Sequence, residues 1–246
     1  MARTRKPTPG LYVGTSGWAY PSWKPDFYPK EVKSKEFLRY YSSQLNATEV
    51  NYTFRRTVTE KAQQQWISDT PENFRFVLKA NQYMTHMRRL KDTEESVERF
   101  FTAVQPLVEA KKLGPVFFQL PPNFKADVPL LRNFLASLPP GALTAWEFRH
   151  GTWFADETYE ALADYDAALC FAENEKMDTP HVMTSSFAYY RFRQPSYTPE
   201  RLKEIAAELA KFAANREVYA FFKHEEDPKS ATWAADALRM ASTPQS

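Results

Sequence analysis

The chain is poor in the residues that mark specialised scaffolds. It holds one cysteine, Cys170, among 246 residues, so no internal disulfide can form. A lone cysteine within the apolar run ALCFA reads as a small buried hydrophobe. The four histidines are His86, His150, His181 and His224. None stands in His-x-x-x-His spacing or beside a Cys-x-x-Cys pair, so no metal-ligand motif supports a metal centre. Glycine numbers only six. No Walker loop, GxGxxG or GxSxG occurs, and Ser16 in TSGW lacks the glycine pattern of a nucleophile elbow. No apolar run approaches the roughly 18 residues of a membrane span. Basic residues number 32 and acidic ones 30. With charge so nearly balanced, an argument for nucleic acid must rest on a local patch. The opening MARTRKPTPG is basic and has no apolar core. It is expected to be a disordered arm over residues 1–10 rather than a secretory signal. With a single cysteine, the expected location is cytoplasmic.

Proline and aromatics are abundant: 18 Pro, and 15% of the chain is Phe, Trp or Tyr. Between the prolines, eight short apolar runs alternate with stretches of helical periodicity. The runs are LYVGTSGW, ATEVN, FRFVLK, VFFQL, TAWEFRH, ALCFAE, YYRFR and VYAFFKHEE. Strands alternating with helices imply parallel βαβ units. Eight of them over residues 11–246 predict a single TIM-type (β/α)8 barrel, for which about 250 residues is typical. The alternative is a doubly wound open sheet. Helix starts are expected at Ser34, at a Thr57–Glu60 capping box, at Asp127 with Pro129 in the first turn, and at Thr198–Pro199. Val97, Phe100, Phe101, Val104, Leu107 and Val108 predict one continuous helix. After the sixth strand NEKMDTPHVMTSS is weakly patterned, so the sixth helix is expected to be short or absent.

Nearly every strand turns polar at its end, and burying a charge is costly unless it is paired. Side chains alternate faces along a strand. If Trp146 and Phe148 face the helices, Glu147 and Arg149 face the interior, as do Arg191 and Arg193 opposite Tyr190 and Phe192. The same reasoning sends Glu49, Asn51, Lys79, Gln119, Glu173, Lys223 and Glu225 inward. The C-terminal ends of barrel strands carry function in this architecture, so these residues outline one shared polar site. An internal ion-pair lattice that merely closes the barrel is the structural alternative. Trp18, Tyr20 and Trp153 fall in loops after strand ends. Flat rings beside Arg and Lys suit a sugar, base or nucleotide. The same rings could instead roof the barrel. A metal site could be drawn from His150, His224, Glu147, Glu173 and Glu225, without supporting spacing. Nothing in the sequence requires a cofactor.

GTSGWAYPSW, FYP, TEVNYTF, FRFVLKA, the Thr85–His86 pair, FFQLPPNF and WEFRHGTWF resemble the YecE-like family, domain of unknown function 72. The resemblance runs in order from residue 11 to about 240. It implies a TIM-type barrel related in shape to apurinic-endonuclease and xylose-isomerase barrels. Departures cluster in the last third. The family's Asp after strand six, Arg-x-His-Gly after strand seven and Asn pair after strand eight read here as AENE, RFRQ and FFKHEE. Arg191 is kept, Arg193–Gln194 replaces His-Gly, and Lys223–His224 replaces the Asn pair. Arg55 stands where TEVNYTF is usually followed by Tyr. The chain therefore looks like a divergent subgroup.

Three functions follow as expectations. The favoured one is a metal-independent enzyme on a small anionic, sugar or nucleotide ligand. Glu147 or Glu173 would be the general acid–base, with His150 and His224 beside them. Arg149, Arg191 and Lys79 would hold the anion. Asn51, His86, Gln119, Arg193, Lys223 and Glu225 would complete the binding site, with Trp18, Tyr20 and Trp153 against the ring. The second is a metal-dependent hydrolase or isomerase, as the related barrels suggest. The third is a nucleic-acid or nucleotide binding module without turnover, using Arg3, Arg5, Lys6, Arg88, Arg89 and Lys91 on phosphates. The sequence does not give the oligomeric state.

Overall fold

Short, near-continuous apolar runs, buried on both faces, give the eight strands. Short amphipathic helices cover their outer faces. In a computed structural model, which describes residues 10–173, 179–223 and 227–242, the strands are β1 (Gly10–Thr15), β2 (Ala47–Val50), β3 (Arg75–Leu78), β4 (Val116–Gln119), β5 (Thr144–Glu147), β6 (Ala168–Ala172), β7 (Ala188–Phe192) and β8 (Glu217–Phe222). The helices are α1 (Phe37–Gln44), α2 (Glu60–Asp69), α3 (Glu94–Ala103), α4 (Gln105–Glu109), α5 (Val128–Ser137), α6 (Asp156–Ala163), α7 (Pro199–Ala213) and α8 (Lys229–Ser242). None of the described helices is long and apolar enough to cross a membrane. The expected basic arm lies, apart from Gly10, outside the described residues.

The sheet runs β3-β2-β1-β8-β7-β6-β5-β4, with all neighbours parallel. The two edge strands meet at a looser seam, through isolated bridges at Phe76–Leu113 and Lys79–Phe117. Backbone bonds reinforce that seam, among them Ala80 N–H to Phe117 O at 2.8 Å and Gly114 N–H to Phe76 O at 2.8 Å. The result is a nearly closed eight-stranded barrel, as expected. At the β1–β2 contact Gly14 has no substitute, because a Cβ there would lie 1.8 Å from the Ala47 carbonyl oxygen.

The two faces of each strand separate as the period of two requires. Val77, Phe117, Ala145, Cys170, Tyr189 and Phe221 fill the interior. Phe76, Phe118, Trp146, Tyr190 and Phe222 meet the helical layer. Cys170 is buried and free, as its apolar run implied.

Three local expectations change or sharpen. The stretch expected as one helix after Val97 is two, α3 and α4. Pro106 sits in the first turn of α4 and cannot continue α3. Thr59, not Thr57, caps α2, accepting from Ala62 N–H at 3.3 Å. Between β6 and β7 the described residues 179–187 form no helix. Asp127 and Thr198 cap α5 and α7 as read from the sequence.

The end of the barrel where strands begin is closed by a buried lysine. Lys112, 5% exposed, donates to the carbonyls of Thr70 (2.7 Å), Pro71 (2.8 Å) and Ile67 (3.2 Å) and to Thr70 Oγ1 (2.7 Å). These oxygens lie at or just past the end of α2. A cation there meets the negative end of the helix dipole and the unpaired carbonyls of its last turn.

Candidate functional site

At the opposite end, two carboxylates and a set of cations share the barrel interior. Arg191, on β7, is fully buried and bridges two strands, donating to Glu49 Oε1 on β2 at 2.7 Å and to Glu147 Oε2 on β5 at 2.5 Å. Glu49 is completed by Tyr189 Oη–H at 2.8 Å and Ser16 Oγ–H at 3.1 Å. Glu147 receives two more guanidiniums, Arg149 through Nε at 2.8 Å and Arg193 at 3.0 Å. The Arg191 guanidinium also lies 4.4 Å from the Phe117 ring, which stacks on Tyr189. Parity explains the convergence. Residues 189, 191 and 193 share one face of β7, and 147 and 149 share one face of β5 and its extension.

Across the β3–β4 seam, Lys79 Nζ donates to Gln119 Oε1 at 3.1 Å. Its ammonium lies 4.4 Å from the centre of the Phe54 ring and 6.0 Å from that of Phe117. His86 packs edge-on against the same Phe54 ring at 4.9 Å. Its Nδ1 is 2.9 Å from Thr85 Oγ1. Both sit in a π-helical turn, Tyr83–Met87, a geometry frequent at functional sites.

The electrostatics follow from this geometry. Burial pushes the Glu147 carboxyl up, but Arg191, Arg193 and Arg149 outweigh it and hold Glu147 well below the usual carboxylate range. Burial likewise opposes ionisation of Glu49, and Arg191 with the Tyr189 hydrogen bond overcomes it. Lys79 goes the other way. Burial and the neighbouring Arg191 lower it from 10.5 to about 7, with Glu49 and Glu147 only partly offsetting them and Lys223 adding to the fall. Burial, then Lys79, Arg149 and Arg89, lower His86. His86 therefore belongs to the electrostatic neighbourhood of the mouth.

A hollow of about 350 Å³ is lined by Asn51, Tyr52, Phe54 and Arg55, so the ring that covers Lys79 also faces this space. A larger one, about 410 Å³, lies between α3 and the loops after β2 and β3, with Asn81, Tyr83 and Arg99 in its wall. The buried charges lie elsewhere. We place the site by the charges, since these carry the desolvation cost that a working site uses.

The family model described as "Protein of unknown function DUF72" matches residues 12–246. The chain belongs to the DUF72 family. It is similar to the UPF0759 protein YunF of Bacillus subtilis (31% identical, 63% of this chain and 56% of that protein) and to the UPF0759 protein YecE of Escherichia coli K12 (30%, 59% and 50%). The matched stretch thus spans about half the length of these curated relatives. Among solved structures, a DUF72 protein of Thermotoga maritima is 28% identical with a TM-score of 0.79, covering 94% of this chain and 97% of that one. A D-psicose 3-epimerase of Clostridium cellulolyticum, solved with D-tagatose, shares the fold alone, at 11% identity and a TM-score of 0.56 over 94% and 98% of the chains.

In this DUF72 chain the structure brings together Glu147, Arg149, Arg191, Arg193, Lys79 and Gln119, with His86 beside them. Lys223 is near enough to act on Lys79, and Asn51 is half-buried at the end of β2. Other sequence expectations change. Glu173 does not point inward. It lies with Phe171 on the helix-facing side, accepting from Tyr197 Oη–H at 2.6 Å and from Arg201 on α7 at 3.1 Å. Trp153 is fully buried, stacks on Phe148 and donates to Phe124 O at 2.8 Å. It therefore roofs the outer layer and offers no face to a ligand. Trp18 packs against Trp66 and Phe76 in that same layer. Tyr20 donates to Ser16 O at 2.8 Å and pins its loop. The His150 Nδ1 accepts from Thr152 N–H at 3.3 Å and caps the turn that follows β5. His224 and Glu225 lie outside the described residues. Sequence reasoning missed Tyr189 and Phe54, while Phe117, which has the parity of Gln119, lies in the interior as that parity implies. Tyr189 was available, since it has the parity of Arg191, but Phe54 lies in a loop whose course no periodicity reveals.

Proposed function

We propose that the mouth of this barrel binds a small anion, a phosphorylated, sugar- or nucleotide-containing molecule, and turns it over with its own side chains and without a tightly held metal. The observation that supports this is a charge imbalance. Among the described residues of the cluster, Lys79, Arg149, Arg191 and Arg193 stand against Glu49 and Glu147, four cations to two carboxylates. Glu49, Glu147 and Arg191 are buried, whereas Lys79, Arg149 and Arg193 are partly buried at the rim, and a surplus of partly desolvated positive charge there is relieved by an anion. Arg191 is consumed by the lattice, and its Nε, like that of Arg193, is buried with no hydrogen-bond partner among the described residues. Arg193 and Arg149 are 15% and 29% exposed, so these two can meet a ligand arriving from solvent. Planar guanidiniums are suited to phosphate and carboxylate groups.

The roles then differ from the first expectation. Glu147, held ionised by three guanidiniums, orients the arginines and is unsuited to proton transfer near neutral pH. Lys79 takes that part, because a group titrating near 7 can both give and accept a proton under working conditions. A metal-dependent reaction would need converging donors. Glu147 spends both oxygens on arginines, His150 engages Thr152 and Glu173 faces α7. No group of three His, Cys, Asp or Glu among the described residues could hold a metal ion. The described donors therefore do not converge on a metal.

The test is isothermal titration of the full chain with ribose 5-phosphate at low salt. Saturable binding is expected, weakened at least about tenfold by Arg193→Met, since a hydrogen bond to a charged group is worth about 1.5–3 kcal/mol. A flat titration of the unmodified protein would overturn the reading.

A further inference from the structure

Lys79 is set up for more than proton transfer. An ordinary buried lysine is matched to acceptors that need its charge. Here the hydrogen-bond acceptor among the described residues is the Gln119 amide oxygen, at 3.1 Å, and it accepts equally well from a neutral amine. No carboxylate is paired with the ammonium among the described residues. Glu49 and Glu147 are both taken by Arg191. Phe54 and Phe117 flank the amine with apolar rings. Every element around it contributes to its state: Glu49 from β2, Gln119 from β4, Glu147 from β5, Arg191 from β7, Lys223 after β8, and His86 after β3. A fixed cation beside a desolvated lysine is one of the known ways to free the amine lone pair for attack on a carbonyl.

We infer that Lys79 is an amine nucleophile that condenses with the aldehyde or ketone carbonyl of an anionic substrate to form a Schiff base. This deepens the anion-site reading and rests on it for the choice of substrate class. The Lys79 lone pair forms a bond to the carbonyl carbon while the carbonyl π pair moves to oxygen. A proton from the nitrogen passes to that oxygen, giving a neutral carbinolamine. The hydroxyl then leaves, taking up the remaining amine proton as water, and the nitrogen pair closes the C=N bond. One water is lost and no oxidant or reductant is needed. Arg149 and Arg193, gathered on Glu147 next to Arg191, hold the anionic end. Phe54 and Phe117 give the amine an apolar flank. His86 packs against the same Phe54 ring.

The experiment uses pyridoxal 5′-phosphate, an aldehyde carrying a phosphate, trapped on the full chain with sodium cyanoborohydride and located by peptide mass mapping. At pH 7.5 the expected adduct is on Lys79, forming at least about tenfold faster than on other lysines and suppressed by excess inorganic phosphate. It is lost in Lys79→Arg and in Lys79→Met. In the unmodified protein the Lys79 rate should level off above neutral pH, while surface lysines keep accelerating; this arm needs no variant to fold. Labelling spread evenly over the lysines and unchanged in the variants would overturn the proposal. Two outcomes separate it from the anion site. Ribose 5-phosphate binding without a Lys79 adduct removes the nucleophile and leaves the site. Selective Lys79 labelling by uncharged butanal, with no protection by phosphate, upholds the nucleophile and removes the anion reading.

Discussion

Two lysines, Lys112 buried and Lys79 partly buried, sit at opposite ends of this barrel and are treated in opposite ways. Lys112, where the strands begin, meets four oxygens at the end of α2. Lys79, where they end, meets one amide oxygen, two aromatic rings and the field of Arg191. Burial lowers both, but Lys112 sits among acceptors that hold its ammonium, whereas Lys79 is brought to about 7. On our proposal the same side chain is a structural bolt at one end and a chemical group at the other. That division matches the architecture, in which one face of the barrel carries stability and the other carries function. Burial alone does not identify a functional lysine; what distinguishes the two is whether the surroundings favour the charge.

Substitutions should separate the two ends. The largest loss is expected for Arg191→Met, which strands Glu49 and Glu147 without their shared partner. Breaking a buried ion pair from one side costs about 3–5 kcal/mol, and urea unfolding should show it. If stability is unchanged, the lattice behind Lys79 is not a framework at all. Lys112→Met comes next, at roughly 2–3 kcal/mol, because three backbone carbonyls lose a charged donor. Thermal unfolding should fall by several degrees, with ribose 5-phosphate affinity unaltered. Lys79→Met should not destabilise the fold and should raise its stability near neutral pH, since it removes a poorly solvated amine whose protonation folding disfavours, yet it should weaken anion binding measured by titration calorimetry. Equal losses of stability in the two lysine variants would erase the contrast.

A pH slope sharpens the contrast further, at up to about 1.4 kcal/mol per pH unit for one proton. The folded value for Lys79, about 7, lies below its ordinary 10.5. Between those limits the unfolded chain binds more protons, so stability rises with pH. The contribution is complete above 10.5 and is lost as pH falls through about 7. The slope should vanish in Lys79→Met, as followed by urea midpoints from pH 6 to 10. On the acid side, Glu49 and Glu147 are held below 4.5. Their contribution is full above that value and is lost as pH falls through their lowered ranges.

Much of this was legible in the sequence. Alternation within TAWEFRH and YYRFR places Glu147, Arg149, Arg191 and Arg193 on one inner surface, because strand periodicity is rigid. The same rule, applied strictly to ALCFAE, groups Glu173 with Leu169 and Phe171 on the outer face, where it is found. The inward expectation for Glu173 misapplies that alternation at the strand end. Trp18 and Trp153 follow no period, and which of two apolar surfaces a loop ring covers depends on packing that sequence does not encode locally. Lys112 looks like any basic residue at a helix end. Its four acceptors come from residues more than 40 positions away. The environment of Lys79 is likewise built across a strand seam, from Phe54, Gln119 and Arg191.

The most direct measurement is the ionisation of Lys79 itself, by NMR titration of the lysine Cε–Hε signals with Lys79→Arg used for assignment. A midpoint near 7 that moves upward when inorganic phosphate is added is the result expected of an amine poised beside an anion site. A midpoint near 10.5 that phosphate leaves unchanged would show Lys79 to be an ordinary ammonium, and the distinction between the two ends of the barrel would fall.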